Sequence, residues 1–177
     1  MKSLNSLLCL SVVWLASAAR GAAERPNILW IILDDVSAHL SCYGETTIQT
    51  PHLDRLAREG TRFTAAFVTA PVCSPCRSAF ITGMYQTAIG AHQHRSGRGE
   101  LKITLPAGVE PTPARLQRAG YYTCIGTGLP DMSRSGKAKG GKGGGGLGKT
   151  DYNFEWDRRM YDGNDWAGRK PGQPFFM

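Results

Sequence analysis

The sequence has little of what marks several common protein classes. It holds 5 cysteines in 177 residues, and Cys9 falls in an amino-terminal stretch that reads as a signal. The other four, Cys42, Cys73, Cys76 and Cys124, do not make a disulfide-dense scaffold. Cys73-x-x-Cys76 has the spacing of half a zinc site or a redox pair, but no second Cys-x-x-Cys and no His-x-x-x-His follows it. Zinc takes about four N/S ligands. A thioredoxin-like pair would sit close behind an amino-terminal strand, whereas this one comes after a helix and a second strand. Zinc, redox and an inert buried pair stay open as minor readings. Long apolar runs are also missing: Leu7 to Ala16 is too short for a bilayer span, which takes about 20 residues.

Acidic side chains are outnumbered, 14 against 21 basic, for a formal charge of +7. Met1 to Ala23 has the pattern of a secretory signal: Lys2, the apolar run, then small residues around Ala16 to Ala18 or Gly21 to Ala23. Loss of Lys2 and Arg20 with that signal lowers the charge to +5. The mature chain, residues 24–177, is then expected to be secreted or periplasmic and to have no membrane contact. Much of the basic excess lies in Ser135 to Gly148, a Gly/Lys-rich stretch unable to build a core, which predicts a mobile loop. Lys137, Lys139 and Lys142 read as solvating residues, so no nucleic-acid partner is expected. An anionic substrate remains compatible with the charge.

Between these segments the chain alternates. Asn27 to Leu33 is a continuous apolar, β-branched run that predicts a parallel strand buried on both faces, ending at Asp34-Asp35. Ligands of open α/β sheets bind outside the carboxyl ends of strands. Two adjacent carboxylates there repel each other unless a cation lies between them, and hard oxygen donors suit Ca²⁺ or Mg²⁺. Thr50 to Gly60 predicts a helix with Thr50 as cap and Leu53, Leu56 and Ala57 as its apolar face. Asp54 and Arg58 are expected to pair on its outer side, with His52 on the surface. Thr61 to Thr69 reads as a strand or extended segment. Thr112 to Gly120 predicts a second capped helix, Tyr121 to Gly126 a buried strand, and Pro174 to Met177 the start of another. Helix and strand in alternation predict a doubly wound sheet.

At the centre lies Val72-Cys73-Ser74-Pro75-Cys76-Arg77-Ser78-Ala79-Phe80-Ile81-Thr82-Gly83. Cys73 stands at a turn that opens a helix, where unpaired N–H groups and the helix dipole favour an anion. The stretch resembles the modification motif of the type I sulfatases, Cys-x-Pro-x-Arg followed by a helix and Thr-Gly. Cys76 stands where most members carry Ser. The resemblance implies an α/β, alkaline-phosphatase-like fold: a mainly parallel sheet flanked by helices, of which residues 26 to 177 match the amino-terminal part and the carboxy-terminal part is missing.

It also implies a chemistry. Cys73 would be oxidised to formylglycine by a formylglycine-generating enzyme, its hydrate would attack sulfur, and Asp34, Asp35 and residue 73 would ligate Ca²⁺ or Mg²⁺. Arg77 would stabilise the diol. Lys149, in Gly148-Lys149-Thr150-Asp151-Tyr152-Asn153-Phe154, would neutralise the sulfate; this segment is similar to that of heparan N-sulfatase-like bacterial enzymes. Asp151 sits where many relatives place a histidine. The family completes its cation site with later residues beyond the matched region, and Asp162 and Asp165 are poor substitutes.

The resemblance points to hydrolysis of sulfate esters or sulfamates on sulfated carbohydrate. His92 and His94, in a cationic Gly-rich loop, are substrate-binding candidates. One alternative is a truncated, catalytically dead domain binding anionic glycans, and a second is a phosphodiesterase of the same superfamily. Trp156, Tyr161 and Trp166 read as packing residues rather than a sugar-stacking surface.

Overall fold

The computed structural model describes residues 25–96, 100, 102–126 and 149–177. The expected signal, 1–23, and the Gly/Lys-rich stretch, 135–148, lie outside the described residues.

The sheet is short and parallel. Strands β1 (Tyr122–Thr123) and β2 (Phe175–Phe176) pair with Tyr122 opposite Phe175 and Thr123 opposite Phe176. On the other side of β2, Ile28 forms a parallel bridge to Phe176. The Ile28 N–H donates to Phe175 O at 2.8 Å, Met177 N–H to Ile28 O at 2.9 Å, and Trp30 N–H to Met177 O at 2.8 Å. The spatial order is therefore the Ile28 segment, β2, then β1. Parallel neighbours require crossovers, and the intervening helices lie in the connections.

The first expected strand is only partly realised. Of Asn27 to Leu33, a single bridge forms, and the run is exposed where burial on both faces was predicted, Ile31 being 64% accessible. Its ladder bonds to β2 reach only to Met177, and Leu29 and Leu33 remain exposed too. The segment at Thr61 to Thr69 forms no strand; it is an irregular, exposed connection in which Phe67 is 90% accessible.

Helix α1 (Pro51–Glu59) forms where Pro51 fits the first turn. Its apolar face is not buried, and Leu56 stands exposed. Thr50 does not cap it: its hydroxyl accepts from Ser41 N–H at 3.0 Å and donates to Asp54 Oδ1 at 3.2 Å. Asp54 also accepts from the Ser41 hydroxyl at 2.7 Å, which turns it toward the preceding loop. The surface ion pair that forms is Arg55–Glu59, at 3.9 Å, in place of the expected Asp54–Arg58. His52 is on the surface as read.

Helix α2 (Cys73–Thr82) is the buried one, with Ser74, Pro75, Cys76, Ser78, Ala79, Ile81 and Thr82 inside. It closes on Gly83, whose φ of 67° is the left-handed stop that glycine adopts without a Cβ clash. Helix α3 (Thr112–Arg118) follows Pro111, one residue before the expected Thr112 cap, and leads through Gly120 into β1.

The core joins α2 to the two loops that frame it. Ile81, Ile89, Ala91 and Phe154 are buried together, with Ile103, Leu105, Val109, Tyr152 and Trp156 packed against them. Tyr152 stacks on Phe154 at 5.7 Å between centroids and meets Trp156 edge-on at 5.4 Å; Trp156 in turn meets Tyr161 at 6.2 Å. Trp156 and Tyr161 are therefore packing residues. Among the described residues no helix is long and apolar enough to cross a membrane.

Candidate active site

Cys73 is the first residue of α2, and its side chain is half-buried. Arg77 follows one turn later, on the same face of the helix. Its side chain is 12% accessible, and it reaches Asp34 Oδ1 from Nη2 at 3.6 Å. Lys149 donates to Asp34 Oδ2, closing a contact across 115 positions of sequence. Two cations and one carboxylate thus converge beyond the carboxyl end of the Ile28 segment, at the second turn of α2. The hydrogen bond from Lys149 is the main reason the Asp34 carboxyl is held below its ordinary value; burial opposes it, and the charges of Lys149 and Arg77 add to the lowering.

Asp35 follows with a φ of 55°, a left-handed conformation uncommon outside glycine, asparagine and aspartate, of the kind found at functional sites. It is exposed, and among the described residues no ion pair or hydrogen bond joins it to the other candidates. His94 is brought in: its Nδ1 lies 4.0 Å from Cys73 Sγ and 3.2 Å from the wholly buried Ser74 Oγ. Ser74 Oγ also accepts from Arg95 N–H at 2.9 Å, tying this loop to the helix start. His92 is exposed and is not joined to that cluster.

Two residues outside the predicted set shape the site. Asp151 is buried, at 6% accessibility, with Oδ1 3.7 Å from Arg77 Nε. Asn153, also buried, donates from Nδ2 to Ala91 O at 3.0 Å and Gln93 O at 2.6 Å, while its N–H donates to Ser78 Oγ at 2.9 Å. Asn153 therefore fastens the segment carrying Lys149 and Asp151 to α2 and to the His94 loop. Its one signal in the sequence was a polar residue between the aromatics Tyr152 and Phe154, at positions the core reclaimed.

Cys76 is buried, and burial pushes its thiol up, so it is a neutral packing group rather than a second nucleophile. Cys124 is more deeply buried, its thiol pushed up to about 11 by burial and then by Asp165 and Asp162. The four described cysteines are all free thiols. Asp162 accepts from the Gln117 side chain at 2.6 Å and from Thr123 N–H at 2.8 Å, and Asp165 accepts from Ala167 N–H at 2.9 Å; both are occupied in local structure.

Asp34 and Asp35 are hard oxygen donors, but Ca²⁺ takes about six to eight oxygens. Among the described residues no group of three or more His, Cys, Asp or Glu is gathered to hold a metal. The carboxylates fit a divalent cation in kind and fall short in number.

Parallel strands alternating with helices, and charged groups gathered beyond a strand end, are features of the alkaline-phosphatase-like class of α/β fold. Within it, residues 26–177 match the Sulfatase family model, and the chain belongs to that family. It is 35% identical over 164 residues to the ulvan-active sulfatase of Formosa agariphila, covering 86% of this chain and 24% of that protein. The steryl-sulfatase of Mus musculus is 43% identical over 114 residues, 61% of this chain and 18% of that one. Among solved structures, BT4656 in complex with its substrate D-glucosamine-2-N,6-O-disulfate aligns with a TM-score of 0.50 at 35% identity, covering 58% of this chain and 20% of that one. The chain thus spans about a quarter or less of the length of these relatives.

Proposed function

We propose that this chain is the amino-terminal part of a secreted or periplasmic hydrolase that cleaves sulfate esters or sulfamates of sulfated carbohydrate. The observation that carries the reading is the convergence of Arg77, one turn along the helix from residue 73, and Lys149, from a distant segment, on the Asp34 carboxylate. A sulfate group is a compact anion, and two cations gathered at one place stabilise such an anion more than scattered surface lysines do. Membership of the Sulfatase family supports the same class of substrate.

In this reading residue 73 is converted from cysteine to formylglycine by a formylglycine-generating enzyme, and the aldehyde hydrate supplies the nucleophilic oxygen. Arg77 orients that side chain from the next turn. Lys149 exchanges Asp34 for the sulfate oxygens when substrate enters. Asp34, Asp35 and residue 73 would contribute ligands to a Ca²⁺ or Mg²⁺ site, although among the described residues no group of three or more His, Cys, Asp or Glu is gathered around one point. His94, with Nδ1 3.2 Å from Ser74 Oγ, is the candidate to contact the substrate or its leaving group, and His92, exposed and apart from that cluster, is the weaker candidate.

The partial donor set favours one rival, a domain that binds anionic glycans without cleaving them. Mass spectrometry of the residue-73 peptide after co-expression with a formylglycine-generating enzyme separates the two. Replacement of the thiol by an aldehyde supports the hydrolase; an intact thiol supports the binding domain. Faster hydrolysis of an aryl phosphate than of the matching aryl sulfate, by the same material, would instead point to a phosphodiesterase.

A further inference from the structure

We propose that Asp151 is the positioning residue for Arg77, and that this buried pair, rather than the contact with Asp34, fixes the guanidinium for an incoming anion. The inference rests on the reading of Arg77 as part of an anion site. Arg77 is flanked on two sides, Nη2 lying 3.6 Å from Asp34 Oδ1 and Nε 3.7 Å from Asp151 Oδ1, both ion-pair contacts longer than a hydrogen bond. The two carboxylates are not equivalent. Asp34 is 38% accessible and shared with Lys149, so its hold is screened by water and divided between two cations. Asp151, at 6%, sits where water screens little. A buried carboxylate is tolerated when a cation pairs with it, and removing one partner strands the other.

The backbone around Asp151 is also the better anchored. Asn153 bonds to α2 and to the 91–93 loop, and the Tyr152 hydroxyl meets that of Tyr161 at 2.8 Å. A side chain between such fixed neighbours sets a rotamer more reliably than one beside the exposed, left-handed Asp35. Lys149 and Asp151, two positions apart on one segment, therefore act on the same site by different routes. Lys149 supplies a movable cation, and Asp151 immobilises another.

The experiment is ¹⁵N NMR of the arginine Nε–H groups in this chain, compared with D151N and D151E, each titrated with inorganic sulfate. In the wild type the Arg77 Nε–H is expected to exchange slowly with water, and in D151N about tenfold faster or more, a loss of protection in line with local opening. D151E, which keeps the charge, is expected to recover part of the protection. Sulfate affinity is expected to fall several-fold in D151N. Simple charge counting predicts the opposite, because that variant has lost an anion next to the site.

Unchanged Arg77 exchange in D151N, or tighter sulfate binding, overturns the proposal. Failure of the wild type to bind sulfate counts against the proposed function, while the exchange comparison still decides the role of Asp151. The Thr123 amide, bonded to Asp162 away from the site, reports whether each variant is folded. If D151N does not fold, D151E decides: slow Arg77 exchange in the folded variant supports the assignment, and fast exchange overturns it.

Discussion

Replacing Asn153 by alanine tests whether the site segment is fastened as described. The substitution deletes two donors, to Ala91 O at 3.0 Å and Gln93 O at 2.6 Å. Each such hydrogen bond contributes about 0.5–1.5 kcal/mol net. Ala91 is wholly buried, so its carbonyl is left without a partner, at a further cost of about 1–3 kcal/mol. Gln93 is exposed, and water replaces the lost donor there. The total is about 2–4 kcal/mol, a large share of the about 5–15 kcal/mol that holds a domain together. With a urea slope of about 2 kcal/mol/M, the middle of the usual range, the unfolding midpoint should fall by about 1–2 M. Chemical denaturation followed by tryptophan fluorescence reads this directly, since Trp156 packs in the same cluster. S78A, which removes the acceptor for the Asn153 N–H, should shift the midpoint in the same direction by a smaller amount. A midpoint in N153A within error of the wild type would refute the account of this anchor.

Other outcomes follow from the same structure. In K149M the largest cause of the lowered Asp34 carboxyl is gone, so its titration, followed by carboxyl ¹³C NMR, should move up toward 3.8. The sign is that of a depressed acid: the Asp34–Lys149 contact stabilises fully above pH 3.8 and is lost as pH falls through the lower folded value. Iodoacetamide at neutral pH should label half-buried Cys73 well before Cys76 and Cys124, whose buried thiols are pushed up; mass mapping that finds Cys124 labelled first would contradict the burial pattern. I31S should change the stability of this chain by no more than about 0.5 kcal/mol, the usual range for an exposed position. A loss of several kcal/mol on denaturation would show that Ile31 is buried after all.

The helices were the most legible part. Pro at the first turn and Gly past the last marked α1 and α3 to within about two residues, and the Cys73 to Gly83 stretch read as the helix it forms. These are local signals, set by backbone geometry within one or two turns. The apolar faces were less legible. The spacing of Leu53, Leu56 and Ala57 predicts a buried stripe, yet α1 has no buried residue, because periodicity says which residues share a face and not what covers it. The strand at Asn27 to Leu33 failed in the same way: its composition suits a doubly covered strand, but only β2 pairs with it, over Ile28 to Trp30.

For the site, sequence alone determined the chemistry available: a thiol at a helix start, an arginine four residues on, a carboxylate pair after an apolar run, and a lysine in a Lys-Thr-Asp-Tyr-Asn-Phe segment. Their motif was enough to indicate the family. Tertiary structure decided which of them meet. It brought Asp34 to Arg77 and Lys149, placed His94 rather than His92 beside residue 73, and set Asp151 and Asn153 behind the site. Contacts between positions 34, 77, 94 and 151 depend on how helices and loops pack across the sheet, and no local pattern records that packing.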